Sequence, residues 1–145
     1  MGTFSVRPLL RPPVRKTITF TGAANFGQAT TSVTVFTVTG KIHIVSLEVY
    51  CTVNLGEAAP TATVTLATAT QAAFFIAATN SVDIDAGDVW TAAGPTTRSL
   101  ALPAGFKDIS LNDNIIMACA AQDTNAGALE FTLVYFPISI GALAI

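Results

Sequence analysis

The sequence predicts an all-β protein, a single jelly-roll-like β-sandwich of about eight to ten strands with an extended N-terminal arm. Apolar residues alternate with Thr and Ser along much of the chain, and turn residues recur at short spacing. No segment has the i, i+3, i+4, i+7 apolar spacing of a capped amphipathic helix. The chain has 145 residues, 51% of them hydrophobic and 11% charged, which suits one domain with its own core.

Residues 1–15 are expected to form an extended arm, and residues 16–145 to form the sandwich. Pro8, Pro12 and Pro13 fix the backbone φ angle and remove hydrogen-bond donors, which argues against a helix or a central strand. Fifteen extended residues span up to about 50 Å. The arm is therefore long enough to reach a neighbouring molecule.

The arm and the body differ in charge. Residues 1–16 contain four of the seven basic residues and none of the nine acidic ones, so residues 17–145 have a formal charge of −6. Basic segments of this kind often bind partners. The expected partner-binding residues are the basic and apolar side chains Phe4, Arg7, Leu9, Leu10, Arg11, Arg15 and Lys16.

Strands of period two follow the arm in order. The first half of the chain predicts strands over residues 16–21, 32–35, 41–54 and 61–66, separated by a loop over 22–31, a turn at Gly40 and a turn over 56–60. In the longest of them the apolar face is expected to contain His43, Val45, Leu47, Val49, Cys51 and Val53.

The second half continues the pattern. Short strands are expected within residues 72–78, 89–91, 99–102, 115–121 and 128–136, with a loop over 80–87 and a turn at Gly94-Pro95. In the last strand the apolar parity consists of Leu129, Phe131, Leu133 and Tyr135.

The residue types needed for catalysis are almost absent, and the chain is not expected to be an enzyme. His43 is the only histidine and lies on an apolar strand face, and there is no G-x-S-x-G nucleophile motif. The spacing of Glu48, Glu57 and Glu130 does not select a pair of carboxylates for glycoside hydrolysis. We therefore assign no catalytic residues and no cofactor.

Asp83, Asp85 and Asp88 are the best metal candidates, but the pattern fails. A Ca²⁺ loop of the EF-hand type needs Gly at its sixth position and Glu at its twelfth, and counting from Asp83 these positions hold Asp88 and Gly94. The expectation is a solvated loop in which Asp caps its own turns, with no metal.

Cys51 and Cys119 are expected to be buried free thiols.

No secretory signal or membrane span is expected. Residues 58–82 lack charge, but they contain Pro60 and many Thr, which a spanning helix would not tolerate. Nucleic-acid binding would need a basic patch with interleaved aromatic residues, which is absent. A soluble protein in a reducing compartment, with no membrane or nucleic-acid partner, is the expectation.

Several segments resemble small structural proteins of tailed-bacteriophage virions. These are residues 74–79 (Phe-Phe-Ile-Ala-Ala-Thr), 83–90 (Asp-Ile-Asp-Ala-Gly-Asp-Val-Trp), 126–133 and 135–139. Within that group, a jelly roll with an extended arm resembles a capsid decoration (cement) protein. The resemblance implies a trimer on the virion surface, assembled in the host cytoplasm and bound to the major capsid protein, with no catalytic residues.

The uncharged C-terminus, residues 138–145, is expected to lie at the subunit interface of a homotrimer through Ile138, Ile140, Leu143 and Ile145, although it could instead pack on its own core.

A second function class stays open: a carbohydrate- or receptor-binding module of a phage tail or fibre. Such a module would use Tyr50, Trp90 and Tyr135 as its aromatic platforms.

Overall fold

Twelve strands form the regular structure of residues 11–97 and 109–145, the part of the chain that the computed structural model describes. One 3-10 turn, Ser81–Asp83, lies between the sixth and seventh strands. The strands are β1 Val14–Thr19, β2 Ser32–Phe36, β3 Val38–Thr39, β4 Ile42–Glu57, β5 Thr63–Thr68, β6 Ile76–Asn80, β7 Asp88–Thr91, β8 Gly94–Thr97, β9 Ile109–Leu111, β10 Ile115–Ala120, β11 Thr124–Pro137 and β12 Leu143–Ala144.

The strands pair antiparallel in three sheets, and the expected all-β sandwich is confirmed. The larger sheet has the order β1-β11-β4-β7-β8, with β9 also paired to β4. The second sheet has the order β2-β10-β5-β6, and a small two-stranded sheet joins β12 to β3. The strand expected at residues 99–102 lies outside the described residues.

The core is formed by the apolar parity of each sheet. In β11, Leu129, Phe131 and Leu133 are fully buried, as the alternation predicts. In the second sheet, Leu66 and Met117 are buried to the same degree, and both belong to one continuous apolar cluster with the β11 residues. Alternation with Thr on the opposite face therefore separates core from solvent along most strands.

Strand β4 departs from the expected alternation near its start. Ile42 and Ile44 are buried, whereas His43 and Val45 are only half-buried. The register explains the difference, because β11 pairs with Ile44 and then with Ser46, leaving one extra residue in β4. This β-bulge reverses the inward parity. The expected places of His43 and Val45 on the apolar face are thus wrong, and so is that of Val53, which is 54% exposed. The His43 ring instead stacks on Phe136 with 4.6 Å between the ring centres.

Two other local expectations change. Gly94-Pro95 starts β8 and does not form the turn, which is at residues 92–93. Proline is tolerated there because β8 is at the edge of its sheet. The apolar run 72–78 divides, since residues 72–75 form a turn and bends and β6 begins at Ile76.

The first strand begins at Val14, two residues before the expected start of the sandwich. Val14 and Arg15 pair with Leu133 and Thr132 of β11, and the Arg11 N–H donates to the Tyr135 carbonyl at 3.1 Å. Residues 11–15 therefore lie along the sheet. Within residues 11–97 and 109–145 no helix is long and apolar enough to cross a membrane.

Candidate interaction surface

The C-terminal segment is fixed to the body by hydrogen bonds. Thr37 and Ile145 exchange both backbone bonds, at 2.8 and 3.1 Å, in line with the pairing of β12 and β3. At the start of the segment, the Ile138 N–H donates to the Lys41 carbonyl at 2.8 Å, and the Lys41 N–H donates to Ser139 Oγ at 2.8 Å. The segment consequently has a defined position on the subunit.

Tyr135 connects this segment to the core. Its hydroxyl accepts a hydrogen bond from the Ala144 N–H at 3.0 Å and lies 3.3 Å from the Ala144 carbonyl oxygen, to which it donates. Both residues are buried, with 1% of their surface exposed. One phenol thus satisfies both backbone groups of Ala144, as a neighbouring strand would. The sequence predicted Tyr135 as a core residue, but nothing in the sequence indicates its contact with Ala144.

The four residues predicted at a subunit interface lie on this fixed segment and face solvent. The exposed fractions are 47% for Ile138, 106% for Ile140, 40% for Leu143 and 56% for Ile145. Ala142 and Ala144 are buried, so the segment packs its small side chains inward and presents its large ones outward. We call Ile138, Ile140, Leu143 and Ile145 the C-terminal patch. The tail therefore packs on its own core through Ala142 and Ala144 and still exposes apolar surface.

A groove of about 560 Å³ brings part of the predicted arm next to this patch. Residues 11–16 line one part of it, residues 143–145 line another, and Tyr135 contributes to its lining. Arg11 and Arg15 are exposed and Lys16 is half-buried. We call this feature the β1 groove. It combines three predicted partner-binding cations with Leu143 and Ile145, whereas Phe4, Arg7, Leu9 and Leu10 lie outside the described residues.

The acidic loop is organised by its own hydrogen bonds. The Asp85 N–H donates to the Asp88 carboxylate at 3.1 Å, and the Ala86 N–H donates to Asn54 Oδ1 at 2.7 Å. In the two described segments, no group of three or more His, Cys, Asp or Glu side chains is arranged to hold a metal ion. The Asp88 carboxylate thus caps a local turn.

Both cysteines are free and buried. Burial raises the pKa of the Cys119 thiol from 9.0 to about 11, although a hydrogen bond with Thr124 opposes the shift. Burial also raises the pKa of the Cys51 thiol. Neither sulfur has the lowered pKa of a reactive cysteine.

The Cys119 shift predicts a loss of stability at high pH. The folded state favours the neutral thiol, so the stabilisation is complete below pH 9 and is lost as pH rises toward the folded pKa of about 11. Between pH 9 and pH 11, the free energy of unfolding should fall by about 2 kcal/mol more in the wild type than in Cys119→Ala. Urea unfolding at each pH measures this difference. Parallel pH profiles for the two proteins would contradict it.

The hydroxyl of Tyr135 is expected to stabilise the attachment of the C-terminal segment to the core. Tyr135→Phe leaves the N–H and C=O of Ala144 buried without their partner, and we expect a loss of about 1–3 kcal/mol in urea unfolding. The amide of Ile145 should also exchange with solvent faster, because β12 loses its attachment to the core. Tyr50→Phe, at a half-buried tyrosine, is the matched control and should change stability little. Equal losses in the two variants would show that the hydroxyl does not hold the tail.

The aromatic platforms of the alternative function are mostly inaccessible. Trp90 and Tyr135 have 0% and 1% of their surfaces exposed, so neither ring can stack on a sugar in this fold. Tyr50 is half-buried. Of the three rings expected to form a carbohydrate platform, only this one reaches solvent.

Comparison with known proteins identifies one structural neighbour. A chain of the structure described as "Cyanophage Pam1 capsid asymmetric unit" matches with a TM-score of 0.50 and 15% sequence identity. The match covers 94% of this chain and 91% of the other, so it includes nearly the whole of both. At this identity the similarity shows the fold alone. No family model and no curated protein sequence matches the chain.

Proposed function

We propose that this chain is a structural protein of a bacteriophage virion that binds and stabilises the capsid shell as a decoration, or cement, protein. The observation that supports this most strongly is the fold similarity, over 94% of the chain, to a chain in a phage capsid asymmetric unit. The two chains are similar in length, so the likeness is not limited to one motif. The proposed location is the capsid surface, after assembly in the host cytoplasm.

The proposed attachment site is the arm together with the β1 groove. Arg11 and Arg15 are exposed beside an apolar wall, which suits a partner surface with both carboxylates and apolar side chains. We propose the major capsid protein as that partner. We propose that Phe4, Leu9 and Leu10 add apolar contacts with the same partner.

The proposed assembly is a homotrimer with the C-terminal patch near the subunit interface, so that Ile138 and Ile140 contact the neighbouring subunit while Leu143 and Ile145 line the β1 groove. Four large aliphatic side chains on a hydrogen-bonded segment favour burial against another surface. Light scattering at high protein concentration tests this. A mass close to the 15.0 kDa of one chain would contradict the trimer.

We propose no catalytic role, cofactor, nucleic-acid partner or membrane partner. His43 is stacked on Phe136, and the acidic loop is held by bonds within the chain. The proposed activity is binding alone.

Rebinding to capsid shells stripped of this protein tests the proposed function. The full-length chain should bind saturably and cosediment with the shells. Changing Arg7, Arg11 and Arg15 together to Ala should weaken binding about tenfold at low salt, because three exposed charge contacts are lost. The salt dependence should also flatten. Lys41→Ala, which removes a cation that does not line the groove, is the control. Absence of binding by the full-length protein would overturn the proposal.

A further inference from the structure

The outer edge of β1 presents backbone groups that no strand of residues 11–97 and 109–145 covers. In the described part of the chain β1 ends its sheet, with β11 as its neighbour on one side only. The Phe20 N–H bonds to the Gly127 carbonyl at 2.9 Å, and bonded pairs alternate in an antiparallel ladder. The N–H and C=O groups of Arg15, Thr17 and Thr19 therefore point away from β11. This edge can accept one more strand.

The β1 groove is lined by residues 11–16, so it includes the N-terminal part of β1. Its cations are Arg11, Arg15 and Lys16, and its apolar lining includes Leu143 and Ile145. No acidic side chain is among its described lining residues. Backbone donors, positive charge and apolar surface consequently meet in one elongated feature.

We propose that the outer edge of β1 and the β1 groove bind an extended segment of the capsid shell protein in which carboxylate side chains alternate with apolar ones. The segment adds to β1 as a strand, and its apolar side chains contact Leu143 and Ile145. Its carboxylates lie on the side of the sheet that Arg15 faces, because successive side chains of β1 point to opposite faces and Lys16 shares the face of the buried Ile18. This inference rests on the proposed function, since it names the chemistry that the shell would present.

Backbone and side chains have separate roles in this mode of binding. Backbone hydrogen bonds to Arg15, Thr17 and Thr19 supply affinity with little demand on sequence, as in other cases of strand addition. The guanidinium groups supply the preference for carboxylates, because their planar donors match that geometry. Pro13 has no N–H, so on the outer side of residues 13–19 the backbone donors begin at Arg15.

Charge argues against two other occupants of the groove. Residues 1–10 contain Arg7 and no acidic residue, so folding back would place like charges together. A second copy pairing through its own β1 would bring the cations of the two edges close to each other, a recognised protection against edge-to-edge pairing. An acidic strand removes both conflicts.

Synthetic peptides test the chemistry without the shell. The probes are blocked octapeptides in which Thr-Glu-Val-Glu repeats twice, and the same peptides with Gln or Lys in place of Glu. We expect the Glu peptide to slow hydrogen exchange at the amides of Arg15, Thr17 and Thr19 and to bind at least tenfold more tightly than the Gln peptide. The Lys peptide should not bind. Equal binding of all three, or no protection by the Glu peptide, would overturn the inference.

Variants of β1 connect this site to the shell. Thr17→Pro removes one outward N–H and should weaken both peptide and shell binding about tenfold, whereas Thr17→Val should bind as the wild type does. Arg15→Glu combined with Lys16→Glu tests the same site without a proline and should reverse the preference toward the Lys peptide. Wild-type shell binding by the folded variants would overturn this inference and leave the proposed function intact. Normal peptide binding without any shell binding would overturn the proposed function and keep the acidic-strand chemistry of this edge.

Discussion

Deletion of residues 1–10 is expected to leave a folded protein that binds capsid shells at least a hundredfold more weakly than the full chain does. The deletion ends before Arg11 because residues 11–15 lie along β11 and belong to the sheet. It removes Phe4, Leu9 and Leu10, each of which could contribute about 1.5–3 kcal/mol when buried on a partner. Loss of even two such contacts would weaken binding at least a hundredfold. Cosedimentation with stripped shells measures the loss, and circular dichroism and the melting temperature report the fold.

The matched control for this deletion removes residues 2–3 only. That change shortens the arm but keeps all its large apolar and basic residues, so binding should be close to that of the full chain. Leu9→Ser combined with Leu10→Ser should lose most of the affinity in the full-length protein. If the protein without residues 1–10 binds shells as tightly as the full chain, these residues are not part of the attachment site.

Trp90→Ala is expected to have the largest effect on stability, a loss of about 3–5 kcal/mol in the free energy of unfolding. The indole is fully buried in the core cluster, and its Nε1–H donates to Thr79 Oγ1 at 2.9 Å. Truncation therefore creates a cavity and removes the donor to Thr79. Such a loss would leave a small domain marginally stable. Urea unfolding of the purified variant measures it.

Phe74→Ala is the control for the tryptophan. Phe74 has 39% of its surface exposed, and its loss should reduce stability much less than that of Trp90. The comparison also bears on the carbohydrate-binding alternative, in which Trp90 would be a surface platform whose removal leaves the fold intact. Similar stability of wild type and Trp90→Ala would contradict the buried position of this ring.

The fold was largely predictable because the alternation of Thr with apolar residues is a local property. Along β11 the parity of Leu129, Phe131 and Leu133 is kept through the strand, so the core face followed directly from spacing. The local sequence pattern is enough to predict the buried face of a strand where the apolar residues recur with the two-residue period of the strand backbone.

Other features depend on contacts between residues distant in sequence. The bulge near Val45 appears only when β4 is paired with β11, and no signal within β4 marks the extra residue. Likewise, the β1 groove joins residues 11–16 to residues 143–145, and the Tyr135–Ala144 contact depends on how the tail crosses the core. The sequence predicted the arm and the tail as two separate surfaces. The structure brings residues 11–16 of the arm beside the tail in one groove.

Immunogold labelling of intact virions tests whether the chain lies on the capsid surface. Antibodies against the purified chain would be applied to phage particles that contain it, with particles stripped of the chain as the control. For a capsid decoration protein, gold should be distributed over the capsid surface of intact particles. Stripped shells should carry no label until the full-length protein is added back. Gold confined to tails or fibres, or heads without label in particles that contain the chain, would contradict it.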